Sequence, residues 1–123
     1  MFAMKKNMYA EMQSQADVQC SKAELVVLIY DKIIKHIKCA SKAINENKIE
    51  EKITNINKAL QIIELGLLQY LDMSAGDVAH NLKEFYLCAM NILAKANLEN
   101  NSQDLEKIAD NFNNIKSAWE QIA

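Results

Sequence analysis

Apolar residues along this chain fall into four stretches, each stepped by alternating intervals of three and four. The first is Val26, Ile29, Ile33, Ile37, Ala40 and Ile44. The second is Ile49, Ile53, Ile56, Leu60, Ile63 and Leu67; the third is Val78, Leu82, Phe85, Ala89, Ile92 and Ala96. The fourth is Leu105, Ile108, Phe112, Ile115, Trp119 and Ile122. Such stepping keeps one face of a helix apolar and is the seam pattern of antiparallel bundles. It predicts helices over 22–46, 48–72, 75–99 and 103–121. The polar joints fit. Ser21 and Glu24 have capping-box spacing at the first start, and Asn47 with Glu50 repeats it more weakly. Ser74, with Asp77 in the first turn, is the expected cap of the third helix, and Asn101 or Ser102 that of the fourth. Joints this short make successive helices antiparallel neighbours. The expected fold is therefore all-α, an up-down four-helix bundle over 21–123 forming a single domain. A short helical or extended segment, residues 1–20, precedes it.

Three features exceed what four seams need. Leu25 to Tyr30 are apolar without a break, and six consecutive residues wrap the whole circumference of a helix. The second helix adds Ile62, Leu65, Leu68 and Leu71, and the third adds Ala79, Tyr86, Met90 and Leu93. This surplus either satisfies two bundle neighbours or lines a groove for a partner helix. Finally, Met1, Met4, Met8 and Met12 recur beside Tyr9. Methionine packs adaptably and suits surfaces that exchange partners. This segment is either incidental or an amphipathic cover for the Leu25–Tyr30 turn.

Composition narrows the class. The chain has 123 residues, half of them apolar, with no Pro and two Gly. That is one domain's worth of chain, rich enough for a core and free of helix breakers. Gly66, inside the second helix, marks either drift or the close approach of another backbone. The formal charge is −2, and all 14 basic residues are Lys. Without Arg there is no bidentate reader of phosphate or guanine, so nucleic-acid reading is not expected. The N-terminus has Lys5 and Lys6 but no apolar run of a secretory signal, and no stretch approaches a membrane span. Cys20, Cys39 and Cys88 are too few and too scattered for a disulfide framework. Their odd number suits a reducing cytoplasm, and Cys39 and Cys88, within helical stretches, read as buried inert thiols.

Enzyme chemistry finds no foothold. A di-metal bundle needs two E-x-x-H pairs and further carboxylates. The nearest approximation is Asp77-x-x-His80 at a helix start, while His36 has no carboxylate three residues away. Both read as surface or hydrogen-bonded histidines. No Gly-rich phosphate loop exists, and no cofactor or metal site is expected.

The order of these pieces resembles the flagellar export chaperone family FliS. The family run of Ser-Pro, Leu and Leu-Tyr-acid is similar to Ser21, Leu25 and Leu28-Ile29-Tyr30-Asp31. The second helix resembles the family pattern at Asn57-Lys58-Ala59, Ile62-Ile63, Leu65 and Leu71-Asp72. The third does so at Gly76-Asp77-Val78-Ala79, Asn81-Leu82 and Phe85-Tyr86. Ala96-Asn97, Ala118-Trp119 and Tyr9 complete a likeness that spans about residues 8–120. Departures mark a divergent member: Lys22 replaces the usual Pro, Lys32 a common Gly, Asp77 a Glu, and His80 a small or polar residue.

The resemblance implies a cytosolic export chaperone that binds the disordered C-terminal region of flagellin in apolar grooves. It would prevent premature polymerisation and keep flagellin export-competent. In that family the chaperone's own N-terminal segment can occupy the empty groove, which makes residues 1–20 a candidate lid. The candidate partner-binding residues are Tyr9, Leu25, Leu28, Ile29, Tyr30, Ile62, Leu65, Leu82, Tyr86 and Leu93. The export gate or a co-chaperone are candidate further partners. The alternative is a bundle that uses the same apolar faces as a homodimer interface or as an adaptor for another helical partner.

Overall fold

A computed structural model describes residues 21–123. Its four helices are α1 (Lys22–Asn45), α2 (Ile49–Ile62), α3 (Asp77–Glu99) and α4 (Ser102–Ile122). Cross-helix bonds set their directions. His36 meets Asn55, Lys38 meets Glu106, Asp31 meets Lys116, and Lys52 meets the Asn97 carbonyl. Along α1 and α4 the pairs run in opposite order, Asp31 with late Lys116 and Lys38 with early Glu106, and early Lys52 of α2 meets late Asn97 of α3. Tyr30 and Tyr86, at matching heights on α1 and α3, meet across the diagonal. The arrangement is the expected up-down bundle.

Packing is uneven. α1 lies close against α2 and α4, whereas α3 stands farther from its neighbours. Side-chain size explains this. The α1 seam narrows to Ala40, Ser41 and Ala43, and small Ala59 and Ala109 stand in the facing helices, all buried. α3 instead brings Phe85 and Tyr86 against Phe112 of α4, with ring centroids 4.9 and 6.4 Å away. Large rings hold helix axes apart.

The start of α1 is capped as its sequence predicts. Ser21 Oγ accepts from the Glu24 N–H at 3.1 Å, and the Ser21 N–H donates to the Glu24 carboxylate at 3.4 Å. Asn101 caps α4 by accepting from the Asp104 N–H. The other two expected caps are not formed. Asn47 is left-handed (φ 58°), and Lys48, not Asn47, precedes α2, with no side-chain cap. Asn47 instead ends α1: its N–H donates to the Ile44 carbonyl, and that of Lys48 to Ala43 at 2.8 Å. This reciprocal pair terminates helices, and Asn tolerates its left-handed position. Ser74 does not cap α3 either. Asp72 caps a short 3-10 turn, Met73–Ala75, by accepting from the Ser74 N–H, and Gly76 at φ 85° opens α3.

The second helix is interrupted. After Ile62 it widens into a π turn over Ile63–Leu67, then tightens into a 3-10 turn over Leu68–Tyr70. A π turn adds a residue to the helical cycle and shifts the phase of the residues beyond it. Leu65, Gly66 and Leu67 are thereby all buried.

The seams shift too. In α3 the buried stripe is Ala79, Tyr86, Ala89, Leu93 and Ala96, so residues read as surplus are the core, while Val78 faces outward. Ile49, Ile53 and Ile122 are likewise exposed. Cys39 and Cys88 are exposed rather than buried.

Candidate functional site

Where the α1 start, the π and 3-10 turns, the α3 start and the α4 end converge, the bundle leaves an apolar cleft of about 170 Å³. Cavities of ~150 Å³ hold a benzene-sized group, so an apolar side chain fits. α1 supplies Lys22 and Val26, and the interrupted connection supplies Leu67, Tyr70, Leu71, Asp72 and Ala75. α3 supplies Val78, Ala79, Leu82 and Tyr86, and α4 supplies Trp119. Val78 is 67 % exposed at the rim. The cleft exists because the π turn swings the chain away from α-helical phase and the turn to Gly76 spans the gap with few side chains.

Tyr86 joins the cleft to an aromatic cluster in the core behind it. Tyr30 stands edge-on to Tyr86 (6.3 Å, 79°) and to Phe112 (5.4 Å, 83°). Edge-to-face rings complement each other's quadrupoles, and interlocked rings make a stiff cluster. The Tyr30 and Tyr86 hydroxyls lie 2.5 Å apart. Burial raises the Tyr30 pKa, against the hydrogen-bonding influence of Tyr86 and Trp119, so the hydroxyl stays protonated. The rim is charged. The Ser74 hydroxyl, then the Ser74 N–H, with Lys22 at longer range, hold the Asp72 carboxyl below its ordinary range.

A second apolar feature runs between α2 and α3. Lys52 Nζ donates to the Asn97 carbonyl (3.0 Å) and Asn100 Oδ1 (2.6 Å), pinning the α3 end to α2. Phe85 faces α4, so helical spacing places Leu87, Met90, Ala94 and Leu98 on the α2 flank of α3. Asn55 faces α1, so Ile49, Ile53 and Leu60 lie on the α3 flank of α2. Leu98 is 86 % exposed and Ile49 60 %. These flanks leave Ile49, Ile53, Leu87 and Leu98 exposed, an apolar face of the kind that receives an amphipathic helix.

The candidate residues separate on this geometry. Ile29, Tyr30, Tyr86 and Leu93 are fully enclosed in the core, and Leu25, Leu65 and Ile62 are nearly so. Among them only Tyr86 lines the cleft, where half-buried Leu82 joins it. Leu28, 36 % exposed, belongs to neither feature. Thus the six-residue apolar run is mostly covered by α2 and α4. Tyr9, Cys20, the Met series and the lid lie outside the described residues. Sequence reading missed Tyr70, Leu71, Val78 and Trp119 as a site. Its one clue was Leu71-Asp72…Gly76-Asp77, a helix break flanked by apolar residues.

His36 Nδ1 pairs with Asn55 Oδ1 at 2.9 Å, and His80 is exposed. Among the described residues no group of three or more His, Cys, Asp or Glu could hold a metal, and no buried side-chain polar atom lacks a partner. No described helix is long and apolar enough to cross a membrane.

Comparison with known proteins adds a coherent set of likenesses. The family model described as flagellar protein FliS matches residues 4–123. The flagellar secretion chaperone FliS of Vibrio cholerae is 31 % identical over 123 residues, covering 97 % of this chain and 90 % of the relative. That of Salmonella typhimurium is 30 % identical over 117 residues, covering 94 % and 87 %. That of Bacillus subtilis is 25 % identical over 119 residues, covering 94 % and 86 %.

Proposed function

The chain belongs to the FliS family of flagellar secretion chaperones, and from that premise we propose that it binds the C-terminal region of flagellin in the cytoplasm. The observation that carries this reading is the apolar end cleft, with exposed apolar side chains on α2 and α3 beside it. A flexible segment could place an apolar side chain in the cleft and a short amphipathic helix between α2 and α3. Ordering that segment costs several kcal/mol, and burial along both features supplies the compensation. Flagellin held in this way would have its polymerising surface masked until export.

Residues 1–20 serve as a lid on this reading. The chain joins α1 at Ser21, beside Lys22 on the cleft rim, so the segment starts within reach of the cleft. Its Met and Tyr9 side chains have the chemistry to occupy it. The export gate or a co-chaperone would recognise the loaded complex.

Trp119 is the only tryptophan and lines the cleft, so its emission reports occupancy directly. Titration with a flagellin C-terminal peptide is expected to shift that emission and saturate near ~10 μM peptide, an ordinary affinity for coupled folding. Absence of binding by both emission and calorimetry would overturn the proposal. Deletion of residues 1–15 is expected to raise binding of an apolar dye; unchanged dye binding removes the lid. Mass that rises with concentration in light scattering would favour self-association through the same faces.

A further inference from the structure

The outer face of α1 belongs neither to the core nor to the two apolar features. Five lysines stand on this helix against two acids, although the chain as a whole is net negative. Lys32, Lys35, Lys38 and Lys42 are all exposed. At 100° per residue they fall within about a third of the circumference and span ~15 Å. Ile33, Ile37 and Ala40 point the opposite way, into the core. Lys38 is neutralised by Glu106 at 2.9 Å, and Lys42 reaches Glu46 only at 4.0 Å. Lys32 and Lys35 have no ion-pair partner among the described residues.

Beside them, Asn55 donates its amide to the Glu51 carbonyl, which orients its oxygen toward His36. That oxygen accepts from Nδ1–H of His36 and leaves Nε2 turned away from this bond. On the facing flank of α4, Glu106 is engaged by Lys38, and Asp110 acts on the same lysine at longer range. Lys32 and Lys35 thus stand without an ion pair among the described residues on an ordered helix.

We propose that this face docks an acidic helical segment of a partner protein, with carboxylates spaced along one side to match Lys32, Lys35 and Lys42. The chemistry favours that occupant. Lysine meets an anion as a point charge, and lysines repeating at helical spacing along one face match carboxylates repeating at the same spacing on a second helix. The net negative charge works against nucleic acid and anionic bilayers, which respond to the whole field rather than to one stripe. Leu28 is the only large apolar side chain exposed on α1, too little for membrane insertion. The stripe faces away from α3, so this partner and an occupant of the cleft or of the exposed apolar face can be held together.

The test uses the full chain and two labelled helical peptides of identical composition. One carries Glu along a single face, and the other distributes Glu around the helix. The one-faced peptide is expected to bind at least ~5-fold tighter at low salt and to weaken as salt screens it. Combined Lys32→Glu, Lys35→Glu and Lys42→Glu should weaken it ~10-fold or more, with Lys83→Glu and Lys95→Glu on α3 changing it less than ~2-fold. Equal binding of the two peptides, or equal losses in both variants, overturns the proposal. So does stripe-dependent binding of phosphatidylserine vesicles without peptide binding, or a stripe-dependent dimer in light scattering. The Trp119 titration in the same samples distinguishes loss of this docking from loss of flagellin binding.

Discussion

Tyr30 and Tyr86 place two hydroxyls together inside an aromatic core, and their contribution is measurable. Tyr30→Phe and Tyr86→Phe should each lower stability by about 1 kcal/mol, the usual net value of such a bond. The double variant should lose less than the sum by at least ~0.5 kcal/mol, because the two hydroxyls are one interaction. Chemical denaturation of the four proteins gives the cycle; strict additivity would show that the pair is not coupled. The same hydroxyl sets a pH dependence. The folded-state pKa of Tyr30 is raised, so its stabilisation is complete below the unfolded value near ~10 and is lost as pH climbs toward the folded one. Lys38 and Lys116, raised chiefly by hydrogen bonds to Glu106 and Asp31, act in the same direction. Denaturation midpoints should fall between about pH 9 and 11, and less steeply for Tyr30→Phe.

Among the elements, α1 is the best specified. Its capping box, uninterrupted seam and left-handed Asn47 stop all act locally. Ser21→Ala should cost about 1 kcal/mol and fray the first turn, with hydrogen exchange at Leu25 reporting it. An unchanged exchange rate there would mean that packing alone holds the helix start. Lys52 plays the opposite part, a long-range tie. Its ammonium donates to the Asn97 carbonyl in the last turn of α3 and to the Asn100 side-chain oxygen just beyond it, where a cation also meets the negative end of the helix dipole. Periodicity identifies Lys52 only as a polar residue between Ile49 and Ile53. The π turn is similarly non-local. Ile56, Leu60, Ile63 and Leu67 keep perfect α spacing in sequence, yet the chain widens at Ile63. Gly66, buried inside this turn, is the visible irregularity in the sequence.

At the scale of the whole molecule, the diagonal placement of α1 and α3 separates the surfaces. α1 packs tightly and turns a charged face outward, while α3 packs loosely and leaves the cleft and the apolar face open. Val78→Asp is the sharpest probe of the cleft, because Val78 is mostly exposed and the bundle should tolerate the change. A charge at an apolar rim that closes on binding should weaken the flagellin peptide by ~10-fold or more while leaving stability within ~0.5 kcal/mol. Parallel titrations and melts decide it; equal affinity would place the contact elsewhere.

Helix number, order, approximate limits and antiparallel connection were legible from the chain, because seams and short joints are local signals. So were the capping box at Ser21 and the family likeness in ordered motifs. The division of apolar residues between core and surface was not. Tyr30, Tyr86 and Leu93 are enclosed, with Tyr86 also lining the cleft, while Val78, Ile49 and Leu98 are exposed. Periodicity tells which residues share a face; it does not tell how far away the neighbouring helix stands. That distance is set by the rings of Tyr30, Phe85, Tyr86 and Phe112 meeting across the bundle and by the small residues that draw α1 inward. Only the tertiary structure decides it, and with it where the apolar cleft opens.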